Sequence, residues 1–359
     1  MSEGDGGLVL VRADDLQRYA SALLKAGGFT EPQARQTSEV LVWANIRGVD
    51  SHGVLRVPRY VEMVESGLID PAAEPSVVRR DGAVSVLEAR RAPGAPAMVA
   101  AMAEAIHSAS QFGVGWCCAR DITHAGAVGY YALEAARRGY IGIVMTASGP
   151  LMAYHGSRVP GVSTNPIAIA APSTDAPILL DMSTATAALG KIMAARDAGT
   201  VIPATWGLDG KGHPTTDPAD VTTLTSLGGP KGSGLSLMIE IIVSLLVANP
   251  VIAPALEGAR TAGMNGMALA MRVGAVSRLA PFQSEVDRLA AALKGLPLAA
   301  GVESILMPGE RGFDTAAKRR QGGVPLPIGT FKRLATLGER YGVAAPSALH
   351  AGTSQSQAG

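Results

Sequence analysis

From Ser76 onward the chain alternates between short β-rich runs and alanine-rich helical stretches. The runs "AVSVLEA", "GVGWCCARD", "IGIVMTAS", "PIAIAAP" and "PILLDMS" each read as one buried strand. Between them, "AMVAAMAEAIHSA" and "GYYALEAARRG" carry apolar residues at helical spacing. Such alternation restricts the fold to α/β or an α+β-like variant, with strands covered by helices. The usual ligand of that arrangement is a dinucleotide seated on a glycine-rich turn. Yet no G-x-G-x-x-G follows any of these runs, and no G-x-x-x-x-G-K-[ST] occurs. The early "GDGG" has no strand before it. A nucleotide that binds this chain does not bind in the Rossmann manner.

The first 75 residues read instead as helical. Thr30 and Gln33 form a capping-box pattern with Pro32 in the first turn, and an apolar-periodic run continues to Arg47, where Gly48 stops it. Pro58 suits the first turn of a helix over "RYVEMVESG". Further helices are expected over Leu235 to Val247, over "SEVDRLAAALK", and over "GTFKRLATLGERYG" with Thr330 as its cap; "GMALAMRV" reads as a strand. The expected division is a helical domain over 8–75, a mixed α/β region over 76–324 and a disordered tail over 347–359.

Composition narrows the function. With 359 residues, 47% hydrophobic, the chain can bury a large core. A net charge of +1 and 4% aromatics argue against nucleic acid as a partner. Cys117 and Cys118, the only cysteines, are adjacent and rarely bridge in that arrangement, so reduced thiols and a cytoplasmic home are expected. No signal peptide is read at the N-terminus. The most apolar segment is interrupted by Glu240 and Pro250, so it reads as a buried helix and no membrane span is expected.

Five stretches carry candidate chemistry. In "GVDSHGVLRVPRY", Ser51, His52 and Arg56 fall on a short connection after a helix stop. A histidine can move a proton near neutrality, a neighbouring serine can hold its tautomer, and an arginine is the natural fork for a carboxylate. Read alone, a Ser–His pair is more often a cap and turn than a site. His124 follows the strand that carries Trp116, and Gly126 and Gly129 keep the next helix start bare, where an anion can sit. By itself it is equally a helix-start histidine with no chemistry. Thr164 and Asn165 precede Pro166, so both are expected to project from an extended loop or to serve simple turn chemistry. "LLDMSTATAALGKI" ends a strand at Asp181 and opens a helix bearing Lys191; "GGPKGSGL" opens another behind Lys231, a possible anion cradle. No H-x-H, HExxH or C-x-x-C spacing is present, so no protein-ligated catalytic metal is expected, and no G-x-S-x-G elbow points to a hydrolase.

In order, "GVDSHGVLRVPRY", "HAGAVGYYALEAARRGYIGI", "STNPIAIAAPS", "DMST", "GKI", "IPATWGLDGKGHPTTDP", "GGPKGSGL" and "MPGERG" resemble the malate/L-lactate dehydrogenase family, from about residue 10 to 342. That family is unrelated to the Rossmann-type enzymes of similar name, and includes ureidoglycolate, sulfolactate and diketogulonate oxidoreductases and cyclic-imine reductases. The resemblance implies a helical domain, completed by segments near 230–250 and 325–342, packed on a non-Rossmann, mostly antiparallel nucleotide-binding sheet. It implies NAD or NADP as cofactor, a small 2-hydroxy or 2-oxo acid as substrate, and a homodimer. Ser51 and His52 match its catalytic pair, Arg56 its carboxylate clamp, and Thr164 a substrate contact. His124 matches a residue that serves the cofactor in some members and proton transfer in others. Gly126, Ser148, Asp181, Met182, Ser183, Lys231, Pro308, Gly309 and Glu310 match positions lining the cofactor. The imine reductases tend to carry an acidic residue at the position of Lys191, so its lysine favours a hydroxy acid. The alternatives are a piperideine- or pyrroline-2-carboxylate reductase, and a silent dinucleotide-binding protein, given departures at 147, 157 and 189.

Overall fold

The computed structural model describes residues 7–197, 199–259 and 263–349; the tail expected over 347–359 lies outside the described residues from 350 onward. The chain divides into two compact units, one comprising residues up to Glu65 and from Gly312 onward, the other Ser66–Arg311.

The first unit is helical, with one two-stranded ribbon. Helix Glu31–Ile46 starts on the Thr30 capping box, the Thr30 amide donating to Gln33 Oε1 at 3.1 Å. It is buried nearly all round, from Ala34 to Ile46, which marks it as the core of the unit. Gly48, at φ +79°, ends it in the left-handed region. Helix Ala13–Ala26 buries Leu16, Tyr19, Leu23 and Leu24, and the Tyr19 hydroxyl donates to Leu334 O at 2.8 Å on helix Ile328–Tyr341. Thr330, expected to cap that last helix, lies inside it, and Pro327 holds the cap position. Strand Leu8–Val11, which sequence reasoning missed, pairs antiparallel with Val324–Pro327.

The second unit is built on a seven-stranded sheet. Edge to edge its strands are Ser76–Asp81, Val84–Glu88, Val114–Ile122, Met264–Arg272, Tyr140–Ala147, Ile167–Ala171 and Ile178–Met182. Every pairing is antiparallel except Val84–Glu88 with Val114–Ile122. Neighbouring residues point to opposite faces. Gly266 faces Met98 of helix Gly94–Phe112, while Met267 packs with Ile239 and Val243 on the other side. Gly115 and Gly142 let helices approach the first face, where a Cβ would meet the carbonyls of Ala105 and Ala132. A smaller four-stranded sheet (Gly207–Leu208, Thr223–Leu224, Met152–Ala153, Pro160–Val162) packs around Met152, Ile192 and Leu224.

Two boundaries differ from the expected ones. Residues 66–75 belong to the second unit, because Asp70 N donates to Arg91 O at 2.9 Å and Arg91 Nη1 to Gly67 O at 2.6 Å. Helix Pro230–Glu240, expected with the N-terminal helices, also belongs to the second unit. Its buried side and the π-helical segment Ile241–Leu245 that continues it pack Ile239, Val243 and Val247 on Cys118, Ala147 and Met267. Among the described residues no helix is long and apolar enough to cross a membrane.

Candidate active site

In the first unit the chain leaves Gly48 through two 3₁₀ turns, Asp50–His52 and Val54–Arg56, before helix Val57–Glu65. The Ser51 hydroxyl lies 2.9 Å from His52 Nδ1, the tautomer-holding contact expected of the pair. Arg56 Nε donates to the Ser51 carbonyl at 2.9 Å, so one residue braces both the imidazole and the guanidinium. Burial, and then the Arg56 charge, lower the His52 pKa from 6.5 to about 4. At neutral pH the ring is therefore uncharged.

The second unit gathers the other residues singled out in the sequence along strand Ile178–Met182 and the loops beside it. Asp181 Oδ2 accepts from Gly129 N at 3.1 Å, so this carboxylate, not a ligand, occupies the helix start that looked open to an anion. His124 is half-buried, and its Nδ1 accepts from Gly126 N at 3.3 Å. Met182 pairs with Ile167, and the Ser183 hydroxyl turns onto Ala185 N at 3.3 Å. Pro308 O accepts from Leu179 N at 3.0 Å, and Gly309, at φ +88°, lies against Leu179 where a Cβ would meet it at 2.9 Å. Glu310 is engaged by the Lys294 ammonium and by Met307 N at 2.8 Å; chiefly Lys294 holds its carboxyl below the usual range.

A second strand of contacts runs from Ser148 to Lys231. Ser148 Oγ lies 2.6 Å from Ser163 Oγ, and Ser148 N donates to Asn165 Oδ1 at 3.3 Å. Asn165 does not project from its loop as expected. It is fully buried, with Nδ2 donating to Ser236 O at 3.0 Å, because the surrounding backbone needs its amide. Thr164 is half-buried; its carbonyl accepts from Thr184 N at 3.1 Å, and Thr184 O accepts from Leu227 N at 2.9 Å. There the chain turns through Gly228 and Gly229, at φ +59° and +62°, into the helix that presents an exposed Lys231. Lys191 is exposed at the start of helix Leu189–Asp197, its Nζ 6.0 Å from the centre of the Trp206 ring. Sequence reasoning missed Asn45, Asp50, Ser163, Ser236 and Arg319, whose roles come from partners distant in the chain.

The profile of the malate/L-lactate dehydrogenases matches residues 11–335. The chain belongs to the malate/L-lactate dehydrogenase family. It is 32% identical over 352 residues to a malate dehydrogenase of Pyrococcus horikoshii, covering 94% of this chain and 97% of that one. To a ureidoglycolate dehydrogenase (NAD(+)) of Escherichia coli K12 it is 36% identical over 241 residues, 67% of this chain and 69% of that one. The crystal structure of malate dehydrogenase from Entamoeba histolytica superposes with a TM-score of 0.90 at 28% identity, over 95% of this chain and 100% of that one. Family membership makes the chain a dehydrogenase, and its mixed sheet is the family's alternative to the Rossmann arrangement.

Proposed function

We propose that this dehydrogenase interconverts a small 2-hydroxy acid and its 2-oxo acid with NAD or NADP. The observation that carries the reading is the bracing of both His52 and Arg56 by Ser51, at 2.9 Å each. Arg56, anchored through Nε, has its Nη groups as the fork for the substrate carboxylate. His52, uncharged at neutrality, takes the hydroxyl proton as the alcohol is oxidised and returns it in the reverse direction. Ser51 receives the Nδ1 proton and steadies the charged ring. His124, its Nδ1 already accepting from Gly126, has only a donor at Nε2 while that bond holds, which favours His52 as the base.

The donor set fits a nicotinamide dinucleotide: hydroxyls at Ser148 and Ser183, an exposed lysine at 231, and bare backbone at Gly126 and Gly309. When bound, the cofactor supplies the hydride acceptor. Of the two forms NAD is the first to test, since one relative is named for NAD(+). Thr164 and Lys191 are proposed as substrate contacts, and the working form as a cytoplasmic homodimer.

The test is a panel of pyruvate, oxaloacetate and piperideine-2-carboxylate with NADH and NADPH, and ureidoglycolate with NAD⁺ and NADP⁺, repeated on His52→Ala and His124→Ala. His52→Ala is expected to lose ~10²–10⁴-fold in kcat. Near-wild-type kcat in that variant, with the loss in His124→Ala, would overturn the assignment. Turnover of the cyclic imine alone would make the enzyme a reductase, and cofactor binding with no turnover would make it a binding protein.

A further inference from the structure

Asp50 directly precedes the Ser51–His52 pair and takes no part in the chemistry above. Its carboxylate is nonetheless gripped from two helices. Oδ1 accepts from Asn45 Nδ2 at 2.7 Å and from Arg319 Nη1 at 2.8 Å, and Oδ2 accepts from Arg319 Nη2 at 3.2 Å. Arg319 Nη1 also donates to the Asn45 carbonyl. The other end of the Asn45 amide accepts from Val54 N at 2.8 Å, and Gly53 lies so close to that amide that a Cβ would collide with it. The turn is thus held on both sides of Ser51 and His52: at Asp50 before them, at Gly53 and Val54 after.

We propose that Arg319 and Asn45, acting through Asp50, are positioning residues that fix the Ser51–His52 turn, and with it Arg56, for proton transfer. This rests on the reading of His52 as the acid–base group. A single 3₁₀ turn has poor hydrogen-bond geometry and little stability of its own. A two-pronged arginine–carboxylate pair sets direction as well as distance. The Asp50 side chain is 39% exposed, where an ion pair adds little to stability, so the clamp acts through orientation. Arg319 reaches Asp50 across 269 residues of sequence, from helix Glu310–Gly322.

The experiment compares wild type with Arg319→Ala, Arg319→Lys and Asp50→Asn, following thermal unfolding beside activity. Arg319→Ala is expected to lose about 10²-fold in kcat/KM for the acid substrate, the scale of a displaced catalytic group. The cofactor KM should hold within about twofold, since no proposed cofactor contact lies in this network. Millimolar guanidinium should restore most of the loss, and Arg319→Lys should recover part of it, because an ammonium cannot reproduce the fork. The His52 ring, followed by NMR titration without substrate, should titrate above its wild-type value in Arg319→Ala as the turn opens to water. Unchanged kcat/KM, or a His52 titration identical to wild type, would overturn the clamp. If Arg319→Ala does not fold, the near-isosteric Asp50→Asn decides by the same measurements. Failure of wild type to turn over any 2-hydroxy acid would sink the functional reading instead, and the His52 titration would still decide the clamp.

Discussion

An imidazole in water takes a proton near pH 6.5, and His52 does so only at about 4, because the folded chain withdraws it from water and sets the Arg56 charge beside it. The base form therefore persists into acid. In the oxidising direction kcat/KM reports the free enzyme, so it should stay level from neutrality down and fall only as pH drops through about 4. Replacing Arg56 by Gln removes the lesser of the two causes. The acid limb should then move upward, toward 6.5, while KM for the acid substrate rises. A pH–rate profile of both proteins checks this; a wild-type limb at 6.5 would mean that His52 is solvated or is not the base. Stability carries the same sign. The unfolded chain binds a proton at this residue from 6.5 downward and the folded chain does not until about 4, so the fold weakens as pH falls through that window.

Between elements, the fully buried Asn165 joins the turn at Ser148 to helix Pro230–Glu240 at Ser236. Asn165→Ala would strand one buried amide and one buried carbonyl, at roughly 1–3 kcal/mol for each group. Urea unfolding should show a loss of that order, accompanied by a higher KM for the cofactor as Ser148 shifts. The sequence revealed Asn165 but misplaced it, since the rule for residues before proline speaks of backbone and not of burial. The central strands were legible because they are covered on both faces and so read as unbroken apolar runs. Strand Leu8–Val11 was not: it is four residues long, and its partner Val324–Pro327 contains two prolines and lies at the far end of the chain. Ser51, His52 and Arg56 could be picked out from their spacing alone, whereas Arg319 had no local signal pointing to Asp50.

On the scale of the whole molecule, the outer side of the segment from Pro230 to Leu246 leaves Leu235, Leu237, Met238, Ile241, Leu245 and Leu246 exposed. Contiguous apolar surface of that kind marks a contact more often than a bare exterior. Together with the homodimer implied by the family resemblance, it leads to the expectation that the chain sediments at twice the mass of one copy. Met238→Glu should shift it toward the single chain in sedimentation velocity. A wild-type chain that stays single at micromolar concentration would refute this.

The same segment holds a built-in frameshift. A π turn contains one residue more than an α turn, so Ile241–Leu245 carries a surplus residue that the rest of the fold has already absorbed. Strike out that residue and everything after it rotates by about 100°. Ser244 would swing away from the Glu240 carboxylate, and Glu240 would lose the amides of Val251 and Ile252 that it now caps at 3.1 Å. Surface stretches usually forgive a change of length. This one, half its side chains in water, would not: here the chain must be counted correctly to the residue.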